Sequence, residues 1–196
     1  MTFVHAISDE EATGAVADLF DADRAAKGYV PNYSRLFGHR PAVYAAWGDL
    51  NRSIKTSMGV RAYELATIAA ARRLRSSYCM LAHGTVLAEK VMPADAVRDL
   101  VTGAGQDAVD ERESALMDLA DRVVADATAI TQEHVDRLRE LGASDDDIID
   151  TVLAAAARCF FSKVLDALGV QPDAEYAGMP PELRDVLTVG RPIATA

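Results

Sequence analysis

Apolar residues in this chain recur every three or four positions, the spacing that lines one face of a helix. No stretch alternates as a half-buried strand does. Ser8 with Glu11 reads as a capping box opening a first helix to about Ala26, stopped by Gly28. Pro31 and Pro41 bracket a turn-like stretch, and Pro41 suits the first position of a second helix with apolar Tyr44, Trp47, Leu50 and Ile54. A third helix is expected over about Arg61 to Leu74 and a fourth over about Ser76 to Val91. Pro93 opens a short fifth, followed by a loop from Gly103 to Gln106. Asp110 with Glu113 caps the sixth, with Leu116, Leu119, Val123 and Val124 facing inward, and Thr131 caps the seventh, which Gly142 ends. The longest helix spans Ser144 to Leu168, with an apolar face too wide for a surface helix, so it is expected at the centre. Gly169 ends it, and the Pro-rich tail from Pro172 is expected to be peripheral.

These elements predict an all-α helical bundle, a single domain over residues 1–196. Its expected parts are an N-terminal segment 1–58, a helical hairpin 59–92, C-terminal helices 110–169 and a tail 170–196. Composition agrees: half the residues are apolar, enough for a real core, while aromatics are 6%. Abundant alanine favours helix and lets helices approach closely.

Charge and cysteine usage narrow the function classes. A net charge of −10 argues against nucleic acid, whose phosphates demand clustered Lys and Arg, and against an anionic membrane surface. No apolar run is long enough to span a bilayer, and MTFVHAISDEE lacks the features of a signal peptide, so a cytoplasmic protein is expected. Two distant cysteines make no disulfide framework, and in a reducing compartment a thiol is available for chemistry.

The segment from Arg61 to Gly84 holds the candidate chemistry. Ser76 suits an N-cap, which puts Cys79 in the first helical turn, where unpaired N–H groups and the positive dipole end favour a thiolate. His83, four residues on, shares that face and can accept the thiol proton directly or through water. Glu64 on the preceding helix is placed to fold back and orient the imidazole, and Tyr78 offers a phenol beside the thiol. Bland alternatives stand beside each: Cys79 as a small core hydrophobe, His83 as a packed structural histidine, Glu64 on a solvated face, and Ser76 as a cap only. Trp47 and Tyr44 suit the core better than a substrate pocket. No further Cys/His pair has metal-ligand spacing and no phosphate or flavin motif is visible, so neither metal nor organic cofactor is expected.

The same stretch resembles the alkylhydroperoxidase D-like (AhpD-like) branch of the carboxymuconolactone decarboxylase superfamily, especially its peroxidase-related members. That signature is a glutamate, eleven residues, then C-x-x-C-x-x-x-H on a helical hairpin; Glu64, Cys79 and His83 take the glutamate, second-cysteine and histidine positions. GYVPNYSRLFGHRP and FFSKVLDALGVQPD are similar to the family's N-terminal segment and closing helix, so the resemblance covers nearly the whole chain. It implies an AhpD-like bundle with the motif on a central hairpin, and a homo-oligomer: dimer, trimer or hexamer.

One departure changes the implied chemistry. The family's first cysteine is Ser76 here, and serine cannot resolve a sulfenic acid as a disulfide. What the resemblance then implies is a one-cysteine peroxidase: Glu64 orients His83, His83 takes the Cys79 proton, and the thiolate attacks a hydroperoxide to give Cys79 sulfenic acid. An external thiol, or Cys159, closes the cycle. Two other readings stay open: a decarboxylase-like enzyme using Glu64 and His83 as acid and base on a small carboxylate, and a non-catalytic family member.

Overall fold

The computed structural model describes residues 2–104 and 108–195, and every regular element among them is helical. The loop expected to end at Gln106 lies partly outside the described residues. In chain order the α-helices are α1 (Ala15–Lys27), α2 (Asn32–Phe37), α3 (Pro41–Met58), α4 (Val60–Leu74) and α5 (Ser77–Lys90). They continue as α6 (Ala94–Thr102), α7 (Glu111–Asp126), α8 (Gln132–Glu140), α9 (Asp145–Ala167) and α10 (Pro181–Leu187). Short 3-10 turns cover Ala127–Ala129 and Ala174–Gly178.

The centre of the bundle is α4 rather than the longest helix. All nine residues from Tyr63 to Ala71 are buried, and α3, α5, α7 and α9 pack around them. Small side chains make this possible: Ala66, Ala69 and Ala70 meet Ala120 of α7 and Ala154 and Ala155 of α9. Without bulky groups between them, the helix axes approach closely. By contrast α9 buries one face against its neighbours and leaves Ile149, Leu153 and Phe160 exposed, so the wide apolar face expected to put it at the centre is only partly covered.

Between α4 and α5 the chain turns at Arg75, which adopts the left-handed conformation (φ 56°). Ser76 N–H reaches back to the Ala71 carbonyl at 3.0 Å, closing the end of α4. The αL conformation costs a non-glycine residue roughly 1–2 kcal/mol, and the Arg75 side chain offsets part of it by donating to the Val189 carbonyl.

Three further expectations are corrected. Ser8 and Glu11 do exchange hydrogen bonds, but they close a turn; α1 begins only after Gly14. The turn-like stretch between Pro31 and Pro41 contains α2, which buries Leu36 and Phe37. The tail is not peripheral: Leu183 and Leu187 of α10 are buried, and α10 packs on α5 and α6. Leu187 fills the space that a side chain at Gly84 of α5 would take.

Candidate active site

Glu64 and His83 meet because α4 and α5 form an antiparallel hairpin around the Arg75 break. Glu64 Oε2 lies 2.5 Å from His83 Nδ1, and Glu64 Oε1 takes the Lys55 ammonium of α3 at 3.1 Å. The Glu64 side chain is fully buried and that of His83 is 15% exposed. Burial pushes the Glu64 carboxyl up, but the hydrogen bonds and charges of His83 and Lys55 outweigh it and hold the group below its usual range. Burial and the Arg158 charge lower the His83 imidazole, against the opposing pull of Glu64. A neutral imidazole beside an ionised carboxylate must donate from Nδ1, since the carboxylate only accepts; Nε2 is then the acceptor nitrogen.

Cys79 is 1% exposed, but its surroundings are not hydrocarbon alone. The Ser162 hydroxyl of α9 donates to Cys79 Sγ at 3.0 Å, and Arg158 Nη1 lies 3.6 Å from the same sulfur. Arg158 Nη2 donates to the Tyr63 hydroxyl at 3.0 Å, and that hydroxyl donates to Asn51 of α3. Burial works against the Arg158 charge, yet the sulfur and the Tyr63 oxygen more than offset it, so the guanidinium holds its proton tightly. Among the described residues no hydrogen bond joins His83 to Cys79. The two halves of the site, Glu64–His83–Lys55 and Cys79–Arg158–Ser162, are bridged by Tyr63.

The auxiliary candidates lie apart from the sulfur. Ser76 occupies the N-cap position of α5, but its hydroxyl makes no capping bond and lies toward Asp166. The Tyr78 phenol donates to buried Asp173 at 2.5 Å, and burial with that carboxylate raises it well above its ordinary value. Asp173 also accepts from Tyr29 and from the Asn32 N–H, tying the C-terminal segment to the start of α2. Cys159 is a free, partly buried thiol next to Arg158 in sequence, one helical step away from the face carrying Arg158 and Ser162. Trp47 lies in the core, stacked on Phe161. No cluster of His, Cys, Asp or Glu among the described residues could hold a metal ion.

Sequence reasoning missed four contributors: Lys55, Tyr63, Arg158 and Ser162. A signal for Arg158 was present, an arginine interrupting the apolar run from Thr151 to Ala157. A charge on the buried face of a helix needs a partner, and here the partner is the candidate nucleophile.

Neither a family model nor a curated protein matches the sequence. Solved structures do match its shape. A peroxidase-related protein with an alkylhydroperoxidase AhpD core, from Ralstonia eutropha JMP134, superposes with a TM-score of 0.73 at 22% identity, covering 89% of this chain and 94% of that one. The fold is AhpD-like. A peroxidase-related protein from Silicibacter sp. TM1040 has this AhpD-like shape too, with a TM-score of 0.72 at 19% identity over 90% and 92% of the chains. The debrominase Bmp8, in a cysteine-to-alanine variant bound to 2,3,4-tribromopyrrole, gives a TM-score of 0.76 at 18% identity over 95% and 98%.

Proposed function

We propose that this protein is a thiol-dependent oxidoreductase that reduces hydroperoxides at Cys79. One observation carries the reading: a buried sulfur that accepts a hydrogen bond from the Ser162 hydroxyl at 3.0 Å and lies 3.6 Å from the Arg158 guanidinium. The Cys79 thiolate attacks the O–O bond, an S–O bond forms, and the alcohol oxygen leaves with a proton relayed from solvent through His83. Cys79 is oxidised to sulfenic acid and the hydroperoxide is reduced to an alcohol. An external thiol then condenses with the sulfenic acid, releasing water, and a second thiol frees Cys79. His83 reaches solvent where Cys79 does not, so substrate arrives from the His83 side after side chains there open.

The test is reaction with a hydroperoxide in the presence of a sulfenic-acid trap. The expected result is an adduct on Cys79, with formation roughly tenfold slower in Ser162→Ala, which removes a hydrogen bond to a charged acceptor. An unlabelled Cys79, under conditions that label a known peroxidatic thiol, overturns the reading. The likeness to a debrominase adds brominated aromatic rings to the substrates worth assaying.

A second reading is supported by the greater exposure of His83 than of Cys79: acid–base chemistry on a small carboxylate by Glu64 and His83. Turnover that survives Cys79→Ala favours it, and turnover lost without added thiol favours the redox reading.

A further inference from the structure

Among the described residues, Arg158 is a buried charge without a carboxylate partner. It is 3% exposed, on a helix face whose other buried residues are apolar, alanine, serine or threonine. A guanidinium does not lose its proton in proteins, so folding cannot remove the charge and must pair it. Among the described residues no Asp or Glu forms an ion pair with it. Its neighbours are the Cys79 sulfur at 3.6 Å, the Tyr63 hydroxyl at 3.0 Å, and the Trp47 and Phe161 rings, each 5.7 Å from the guanidinium carbon. Aromatic faces attract a cation but do not neutralise it. Tyr63 already donates its proton to Asn51 and so serves Arg158 as a neutral acceptor. Of the other ionisable groups nearby, Glu64 is engaged by His83 and Lys55, and His83 has no negative form to offer. Cys79 alone of these groups can supply an uncommitted negative charge.

We infer that Cys79 and Arg158 form a buried thiolate–guanidinium ion pair that exists in the resting protein, with Arg158 as a positioning residue. Ser162 adds a second donor to the same sulfur. The pair deepens the hydroperoxide reading by making the reaction a change of internal charge. When sulfur gains oxygen and becomes a neutral sulfenic acid, Arg158 loses its counter-anion while remaining buried. The oxidised site is therefore the less stable one, and return to the thiolate restores the balance.

The decisive experiment needs no substrate. Ultraviolet thiolate absorbance is measured at neutral pH in the wild type and in Cys79→Ser, which retains Cys159, and their difference isolates Cys79. A thiolate band is expected in the difference, and it is expected to vanish when the same pair is compared in an Arg158→Met background. Absence of the band in the first comparison, or its persistence in the second, overturns the ion pair. A thermal double-mutant cycle reads it independently. Cys79→Ala is expected to lower the melting temperature by roughly 10 °C, because it leaves a buried charge unpaired. In an Arg158→Met background the same change is expected to cost a few degrees at most. Equal losses in both backgrounds also overturn the pair. A protein that shows the pair yet forms no sulfenic acid keeps this inference and refutes the peroxidase.

Discussion

The rings of Tyr63 and His83 meet edge to face with centroids 6.0 Å apart, while the Tyr63 hydroxyl accepts from Arg158. One aromatic side chain thus touches the proton-handling half of the site and the sulfur-holding half. Tyr63→Phe keeps the ring and deletes the link. It leaves buried Arg158 Nη2 and the half-buried Asn51 Oδ1 short of a partner, with an expected loss of about 1–3 kcal/mol in chemical denaturation. The ring contact with His83 survives, so the acid dependence of stability is expected to keep its shape. An unchanged denaturation midpoint would show that the Tyr63 hydroxyl carries no such burden.

The Glu64–His83 pair makes stability depend on pH in a defined sense. The His83 value is lower in the folded chain than its ordinary 6.5, so the unfolded chain binds more protons in the window beneath 6.5, and stability falls there as pH drops. Glu64 is also lowered, from 4.5; its contribution is complete above that value and is lost as pH falls through the folded value. Melting temperature is therefore expected to decline in two stages on acidification. His83→Gln is expected to abolish the first. Glu64→Gln is expected to deepen the first, because His83 loses the carboxylate that pulls its value upward, and to remove the second. Melting curves across pH check this, and a His83→Gln protein with the wild-type profile contradicts it.

Much of the scaffold was legible because helix periodicity and caps are local signals. Pro41, Asp110, Thr131 and Ser144 mark helix starts where the spacing places them. The short helix α2 was hidden by its flanking prolines, which read as turn residues although Pro31 serves as its N-cap. Glu64 and His83 were findable because a hairpin of adjacent helices returns the chain on itself. The partners of Cys79 were not: Ser162 and Arg158 lie 83 and 79 positions away, and no spacing rule connects them. What sequence did carry was the anomaly of an arginine among alanines and leucines, which identifies a buried charge without naming its partner. Part of the tail proves buried against expectation, because proline content describes local backbone, whereas burial of Leu183 and Leu187 is a tertiary fact.

Two glycines on helices separate packing from propensity. Gly48 of α3 has open space where a Cβ would stand, so Gly48→Ala is expected to stabilise by about 0.5–1 kcal/mol through the lower backbone entropy of alanine. At Gly84 of α5 the same atom would lie 2.5 Å from Leu187 Cδ1 and 2.9 Å from Cδ2. Leu187 is itself fully buried, so any shift of its side chain disturbs the packing between α5 and α10. Gly84→Ala is expected to destabilise by about 1–2 kcal/mol net, overpacking exceeding the propensity gain. Combining it with Leu187→Ala tests the cause, since the Gly84 penalty is expected to disappear in that background.

The last segment of the chain straps the start of the motif helix. Gly190 N–H donates to the Ser77 hydroxyl at 2.7 Å, Arg75 donates to the Val189 carbonyl, and Arg191 donates to the Asp166 carbonyl at 2.7 Å. A Cβ at Gly190 would run into the carbonyl oxygen of Arg75, a backbone atom fixed by the left-handed turn between α4 and α5. Neither side can yield without breaking the strap or the hairpin, and the strap lies at the end of the chain, where local release leaves the helices in place. Gly190→Ala is therefore expected to release the segment after α10 while leaving the bundle folded. Hydrogen exchange at the first turn of α5 should accelerate, and a small thiol reagent should reach Cys79 faster than in the wild type. If labelling and exchange are unchanged while melting temperature drops, the hairpin has absorbed the clash instead, and the strap does not guard access to the sulfur.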